Sequence, residues 1–107
     1  MKSFVLVTDE SETYIEDVLH SLLPLEEDEE LIIFDNHSSD STVPKIIEKM
    51  DLMFWLDEKQ RYKFYINMKK ETVEEVTKKA ISIARGEPII IDKKEKFDIK
   101  EVIKCYE

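Results

Sequence analysis

The residues best placed to do chemistry lie in one stretch, ELIIFDNHSSDST, from Glu30 to Thr42. An apolar run stops abruptly at Asp35-Asn36, a polar loop of His37, Ser38, Ser39 and Asp40 follows, and Ser41-Thr42-Val43-Pro44 opens a helical pattern. In an α/β fold, ligands bind just beyond the carboxyl ends of the strands, so this pattern puts a carboxylate and several hydroxyls where a nucleotide would sit. His37 is in the same loop; loop histidines are more often solvated than catalytic, although loops do carry function disproportionately.

Other chemistries lack their motifs. The chain has a single glycine, Gly86, whereas the dinucleotide fingerprint and the phosphate-binding P-loop each need several for close backbone approach to phosphate. No G-x-S-x-G elbow is present. His20 and His37 are not an i, i+4 metal pair, and His20 falls on the polar side of a helix. Cys105 is the only cysteine, which excludes an internal disulfide and a cysteine-based zinc cluster and leaves a small apolar or exposed residue. The net charge of −9, spread along the chain, argues against nucleic acid and anionic membrane surfaces, both of which need clustered Lys and Arg. No apolar run approaches the ~20 residues that span a bilayer, and no signal-peptide core opens the chain, so the expected location is the cytoplasm.

The elements that must position these residues alternate as α/β. At 107 residues, 42% hydrophobic and 38% charged, the chain reads as one domain covering 1–107. Ser3 to Val7 is continuously apolar apart from its first residue, as in a buried parallel strand. Glu12 to Leu23 is an amphipathic helix with Ile15, Val18, Leu19, Leu22 and Leu23 on one face, Ser11 as N-cap and Pro24 as its stop. The acidic run Leu25 to Glu30 reads as a solvated loop leading into a strand over Leu31 to Phe34. A second helix starts near Ser41 and turns Val43, Ile46, Ile47 and Met50 inward; Leu52 to Leu56 is either its tail or a short strand. Tyr62 to Asn67 is a third strand. Glu71 to Ala84 is a helix with Gly86 as its C-cap. Pro88 to Ile91 is a fourth strand, and Asp98 to Tyr106 a closing helix capped by Asp98. Strand and helix in this order predict a three-layer, Rossmann-like arrangement with a mainly parallel sheet and right-handed crossovers.

Three segments, in order, resemble the GT-A glycosyltransferases, especially the large inverting family 2. Phe4 to Leu23 looks like "VSVVIPTYNEEKYIEECLESLL", with Thr8, Glu12, Tyr14, Ile15, Glu16, Leu19, Ser21, Leu22 and Leu23 on family-like positions. The Asp35 loop looks like "VDNGSTDGT". Lys78 to Asp92 looks like "NKGIALARGEYILFLD", with Ala84-Arg85-Gly86-Glu87 intact.

The resemblance implies a half-barrel of parallel strands that holds a nucleoside diphosphate sugar. Thr8, Asp9 and Glu10 would line the nucleoside pocket, and Asp35 would bond to the base or ribose with Asn36 beside it. Arg85 would reach a phosphate or neutralise the end of its own helix. Ser38, Ser39 and Asp40 would shape the loop and cap the following helix. After the first strand the family expects Pro, Thr, Tyr, Asn, Glu, and of these only Thr8 is present; an acid stands where an aromatic would stack. The family's metal motif is Asp-x-Asp after the fourth strand, where a Mn or Mg ion bridges the diphosphate. Here Asp92 is near its first position, but Lys93, Lys94 and Glu95 follow, so Asp92 is the one candidate metal ligand.

In the resembled enzymes the acceptor-binding part and the catalytic base come later in the chain, and no catalytic residue is assigned here. The expected function is a truncated glycosyltransferase-like domain that binds a nucleotide or nucleotide-sugar without independent, hexosyltransferase-like catalysis. Two alternatives accompany it. One is an interaction or regulatory module that kept the fold; the aromatic-rich segment 53–65 would then be a face for a second copy or a partner chain, or else core under a short hairpin. The other is half of a glycosyltransferase completed by another chain.

Overall fold

Every strand is hydrogen-bonded in the same direction, and the strand that begins the chain lies inside the sheet. The computed structural model describes residues 1–91. Its elements are β1 (Lys2–Thr8), α1 (Ile15–Leu22), β2 (Glu29–Asp35), α2 (Thr42–Leu56), β3 (Tyr62–Ile66), α3 (Val73–Ser82) and β4 (Glu87–Ile90). The strand order is β3-β2-β1-β4, and all three pairings are parallel. The expected closing helix over Asp98 to Tyr106, together with Asp92, Lys93, Lys94, Glu95 and Cys105, lies outside the described residues.

The continuous apolar runs of β1 and β2 are explained by burial on both faces. Phe4, Leu6, Leu31 and Ile33 pack with Ile15, Leu19 and Leu22 of α1 and Ile46 and Met50 of α2. The residues between them, Val5 and Ile32, face the other way and meet Ala80 of α3. This is the expected three-layer arrangement, with α1 and α2 on one face and α3 on the other.

Several local expectations are corrected. α1 starts at Ile15 rather than Glu12, with Tyr14 as N-cap and no side-chain cap bond; the Ser11 carbonyl accepts from the Ile15 N–H, while its hydroxyl turns to the Asp9 N–H. The acidic run before β2 is not wholly solvated: Leu25 is buried, and Glu29 and Glu30 are both buried inside the strand. Met53 to Leu56 form the end of α2, so this segment is helix and not a strand of a hairpin. Phe54 stacks on Phe64 with ring centroids 6.2 Å apart, and Phe34 on Tyr65 at 5.7 Å.

Gly86 does not cap α3, whose C-cap is Ile83, and its φ is not positive. It is needed for space: a methyl group there would overlap the Met1 carbonyl, next to the bond from the Glu87 N–H to the Met1 oxygen, 2.9 Å.

Candidate functional site at the carboxyl ends of the strands

β1 ends at Thr8 and β2 at Asp35, and the two are register partners. Their successors therefore emerge side by side. α1 returns the chain towards β2, whereas α3 carries it across the opposite face to β4 on the far side of β1. The carboxyl end of β1 is thus the switch point of the sheet, the position where open α/β folds leave a crevice.

Asp35 is fully buried, and its carboxylate is used within the protein. Oδ1 accepts the Thr8 hydroxyl at 2.6 Å and the Ser38 hydroxyl at 2.7 Å, and Oδ2 accepts the Ser38 N–H at 2.8 Å. Asp35 is therefore the organiser of the loop that follows it, in an Asx-type turn.

Glu10 ties the first loop to the second. Its carboxylate accepts the Ser39 N–H at 2.8 Å, the Ser39 hydroxyl at 3.0 Å and the Asp40 N–H at 3.1 Å. The Ser39 backbone bond, with help from Lys70, holds its pKa below the ordinary carboxylate value. Asp40 caps the next turn by accepting the Thr42 N–H at 2.9 Å. Burial pushes its pKa up, but the Thr42 hydroxyl, the Thr42 N–H and the Glu12 N–H more than offset this and leave it lowered. Glu10 and His37 both have left-handed backbones, with φ of 50° and 54°. Non-glycine residues take up that conformation only where the surroundings enforce it, and such positions cluster at functional loops.

A third segment, between β3 and α3, completes the site, and sequence reasoning had missed it. The Asn36 side-chain amide donates to Asp9 Oδ2 at 3.1 Å and to the Glu71 carbonyl at 2.7 Å, and its oxygen accepts the Glu71 N–H at 3.0 Å. Lys70 places its ammonium on Asp9 and on Glu10, the latter at 3.0 Å. The Asp9 bond, followed by the Glu10 bond, raises the Lys70 pKa. Asn67 donates to Glu71 at 2.8 Å, Lys79 pairs with Glu71, and the Glu71 pKa falls to about 2 through Lys79 first and Asn67 second. The available signal was the lysine pair Lys69-Lys70, two residues beyond the end of a strand. His37 is exposed, with Nδ1 3.2 Å from the Asn67 carbonyl.

Thr8, Asp9, Glu10, Asp35 and Asn36 are thus brought together. Arg85 is not. It bonds to Glu30 through its N–H at 2.6 Å and its Nε at 2.9 Å, at the amino ends of the strands. Glu30 and Asp35 are five positions apart along the strand, roughly 16 Å. The expectation that Arg85 reaches a phosphate is corrected on that geometry: a helix C-terminus that precedes a parallel strand lies at the strand's amino end. Glu30 itself is fully buried. Burial raises its pKa, but the Ser3 hydroxyl, the two Arg85 donors and Lys63 together hold it below its ordinary value. A shallow hollow of about 230 Å³ lined by Met53, Leu56, Asp57, Arg61 and Tyr62 opens at this same amino end, away from the polar loops.

The carboxylates of the site share one property: all have partners, and where their pKa values are displaced, they are displaced downward. Such groups accept hydrogen bonds and orient loops; they are poor proton acceptors near neutrality. Among the described residues, no three His, Cys, Asp or Glu side chains gather to hold a metal ion. No helix among them is long and apolar enough to cross a membrane.

No family model and no curated protein sequence matches the chain. Solved structures do. A crystal structure of S. aureus TarS residues 1–349 is similar at 25% identity and a TM-score of 0.68, covering 85% of this chain and 26% of that one. The same fragment in complex with UDP-GlcNAc gives the same figures, and its complex with UDP gives 28% identity and a TM-score of 0.66, covering 86% and 27%. This chain therefore spans about a quarter of the length of these TarS fragments. Sheet order, crossover pattern and likeness to the glycosyltransferase TarS agree with the three sequence segments: the chain has a GT-A-like fold.

Proposed function

We propose that this domain binds a nucleotide or nucleotide-sugar at the carboxyl ends of β1 and β2 and does not transfer the sugar by itself. The observation that carries the reading is the cross-linked pair of loops after Thr8 and Asp35, at the switch point of a sheet similar to one solved with UDP and with UDP-GlcNAc. Asp9 and Glu10 form the wall offered to the ligand, and the fully buried Thr8, Asp35 and Asn36 hold that wall in place. The absence of independent transfer is supported by the carboxylates themselves, since none of those whose pKa is displaced is poised to take a proton.

Calorimetric titration of UDP, GDP and UDP-GlcNAc into the protein tests the reading. Uridine nucleotides are expected to bind, and Asp35→Ala, which removes the acceptor of the Thr8 hydroxyl and of both Ser38 donors, is expected to weaken binding about tenfold or more. A folded protein that gives no heat with any of the three would sink it. The reading as an interaction module has one observation in its favour: Tyr65, Ile66 and Met68, at and beyond the end of edge strand β3, are exposed.

A further inference from the structure

We infer that β3 is an interface for a second copy of this chain: two β3 strands pair antiparallel about a two-fold axis at Phe64 and join the two sheets into one. The inference is independent of nucleotide binding, because it uses the outer edge of β3 rather than the loops after β1 and β2.

The backbone of β3 is that of an edge able to accept a strand. The Arg61 carbonyl accepts the Leu31 N–H at 2.7 Å, and the Asn67 N–H donates to the Asp35 carbonyl at 2.8 Å. Backbone groups alternate sides along a strand. Lys63 and Tyr65 therefore face β2 as well, and Tyr62, Phe64 and Ile66 turn their N–H and C=O groups outward. Exposed edges are ordinarily blunted by charge, proline or a bulge. β4 has two of these devices, Glu87 and Pro88; the bonds of Glu87 and Ile91 to β1 leave Pro88 facing outward. The only charged residue of β3, YKFYI, is Lys63, and its ammonium is turned to Glu30 at 3.6 Å and to the Ile83 carbonyl at 3.4 Å.

The occupant follows from symmetry. The outward groups of Tyr62, Phe64 and Ile66 are centred on Phe64. A two-fold axis there sets Phe64 against Phe64, and Tyr62 against Ile66 of the second copy. Each of these is then a hydrogen-bonded pair, so no outward group of the strand is left unpaired. Lys63 comes opposite Tyr65, and no like charges meet within the strand. The side chains fit the same axis. Tyr62 and Phe64 pack on the face of α1 and α2. Ile66, two residues on, shares that face and is 47% exposed. Antiparallel pairing brings its Cα to about 5.5 Å from that of Tyr62 in the other copy. Tyr62 there borders the hollow of about 230 Å³ that it lines with Met53, Leu56 and the ion pair of Asp57 with Arg61. Each copy supplies one Ile66 and one hollow, so the contact closes at two copies.

The test is sedimentation equilibrium of the wild-type protein up to about 1 mM, in about 0.15 M salt to screen the repulsion between chains of net charge −9. A dimer with a dissociation constant on the order of 100 μM or tighter is expected. Ile66→Lys, which carries a charge into the hollow, is expected to weaken it about tenfold or more. Ile66→Pro, which removes an outward N–H and no bond to β2, should do the same. Amide exchange gives a readout that general destabilisation would not move. As concentration rises, the Tyr62, Phe64 and Ile66 amides should slow about tenfold or more, while Lys63 and Tyr65, already bonded to β2, change less. Wild type that sediments as a monomer at about 1 mM would overturn the inference, as would a dimer that a folded Ile66→Lys leaves intact. Outward amides protected at every concentration in a monomer would overturn it too, since the edge would then be covered from within the chain. If neither Ile66 variant folds, the wild-type mass and the alternation of amide rates decide.

Discussion

The single residue that does most for the amino end of the sheet is Glu30. Buried completely, it collects the Ser3 hydroxyl at 2.6 Å, two donors from Arg85 and Lys63 at 3.6 Å. Glu30→Ala would leave these donors without their acceptor, and we predict a loss of about 2–4 kcal/mol in urea unfolding. Arg85→Ala should also destabilise, by about 1 kcal/mol or more, yet leave UDP affinity unchanged, which separates a structural arginine from a phosphate ligand. The pH dependence has a definite sign. Because the folded pKa of Glu30 lies below its ordinary value of 4.5, its contribution is complete above that value and lost as pH falls through the lowered one. Wild type should therefore lose stability more steeply than Glu30→Gln below pH 4.5, a difference readable by denaturant midpoints across an acid series. None of this was legible from sequence, where Glu30 closes an acidic run that reads as solvated; only the pairing of β1 with β2 shows that the strand begins early enough to bury it.

At the scale of elements, apolar periodicity located all four strands and all three described helices, but not their ends. The ends depend on caps, and the caps differ. Thr72 accepts the Glu75 N–H, three residues on, through its side chain at 3.2 Å, whereas Ser41 makes no side-chain cap bond, and the residue three positions after it is Pro44, which has no N–H to donate. Thr72→Ala should thus cost about 1 kcal/mol and Ser41→Ala only a few tenths, measured as shifts in unfolding free energy. The candidate site was half legible for the same reason. Asp35 and its loop are contiguous, and their position after a strand is visible in sequence. Lys70 and Asn67 join them only through the pairing of β3 with β2, which no local pattern reports. Arg85 was misplaced because a motif records neighbours in the chain, not the end of the sheet at which they lie.

At the scale of the molecule, the sheet among the described residues has two protected central strands and two edges. Amide exchange should be slowest in β1 and β2, whose burial is nearly complete, and faster in β3 and β4, where Tyr65, Ile66 and Ile90 are exposed. A β3 whose amides slow markedly as protein concentration rises would favour an interface between copies along that edge. The order β3-β2-β1-β4 also has a consequence for birth on the ribosome. The strand made first is the last to be completed, since one flank of β1 is covered only when β4 arrives, and the Gly86 N–H that meets the Ser3 hydroxyl lies 83 positions further along the chain. Local pairing can draw β1, β2 and β3 together early, but the emerging chain must keep an apolar central strand half open until nearly all the described residues have left the exit tunnel. A version ending at Arg85 should accordingly show no cooperative unfolding transition, and a nascent chain stalled before β4 should be the natural client of a chaperone.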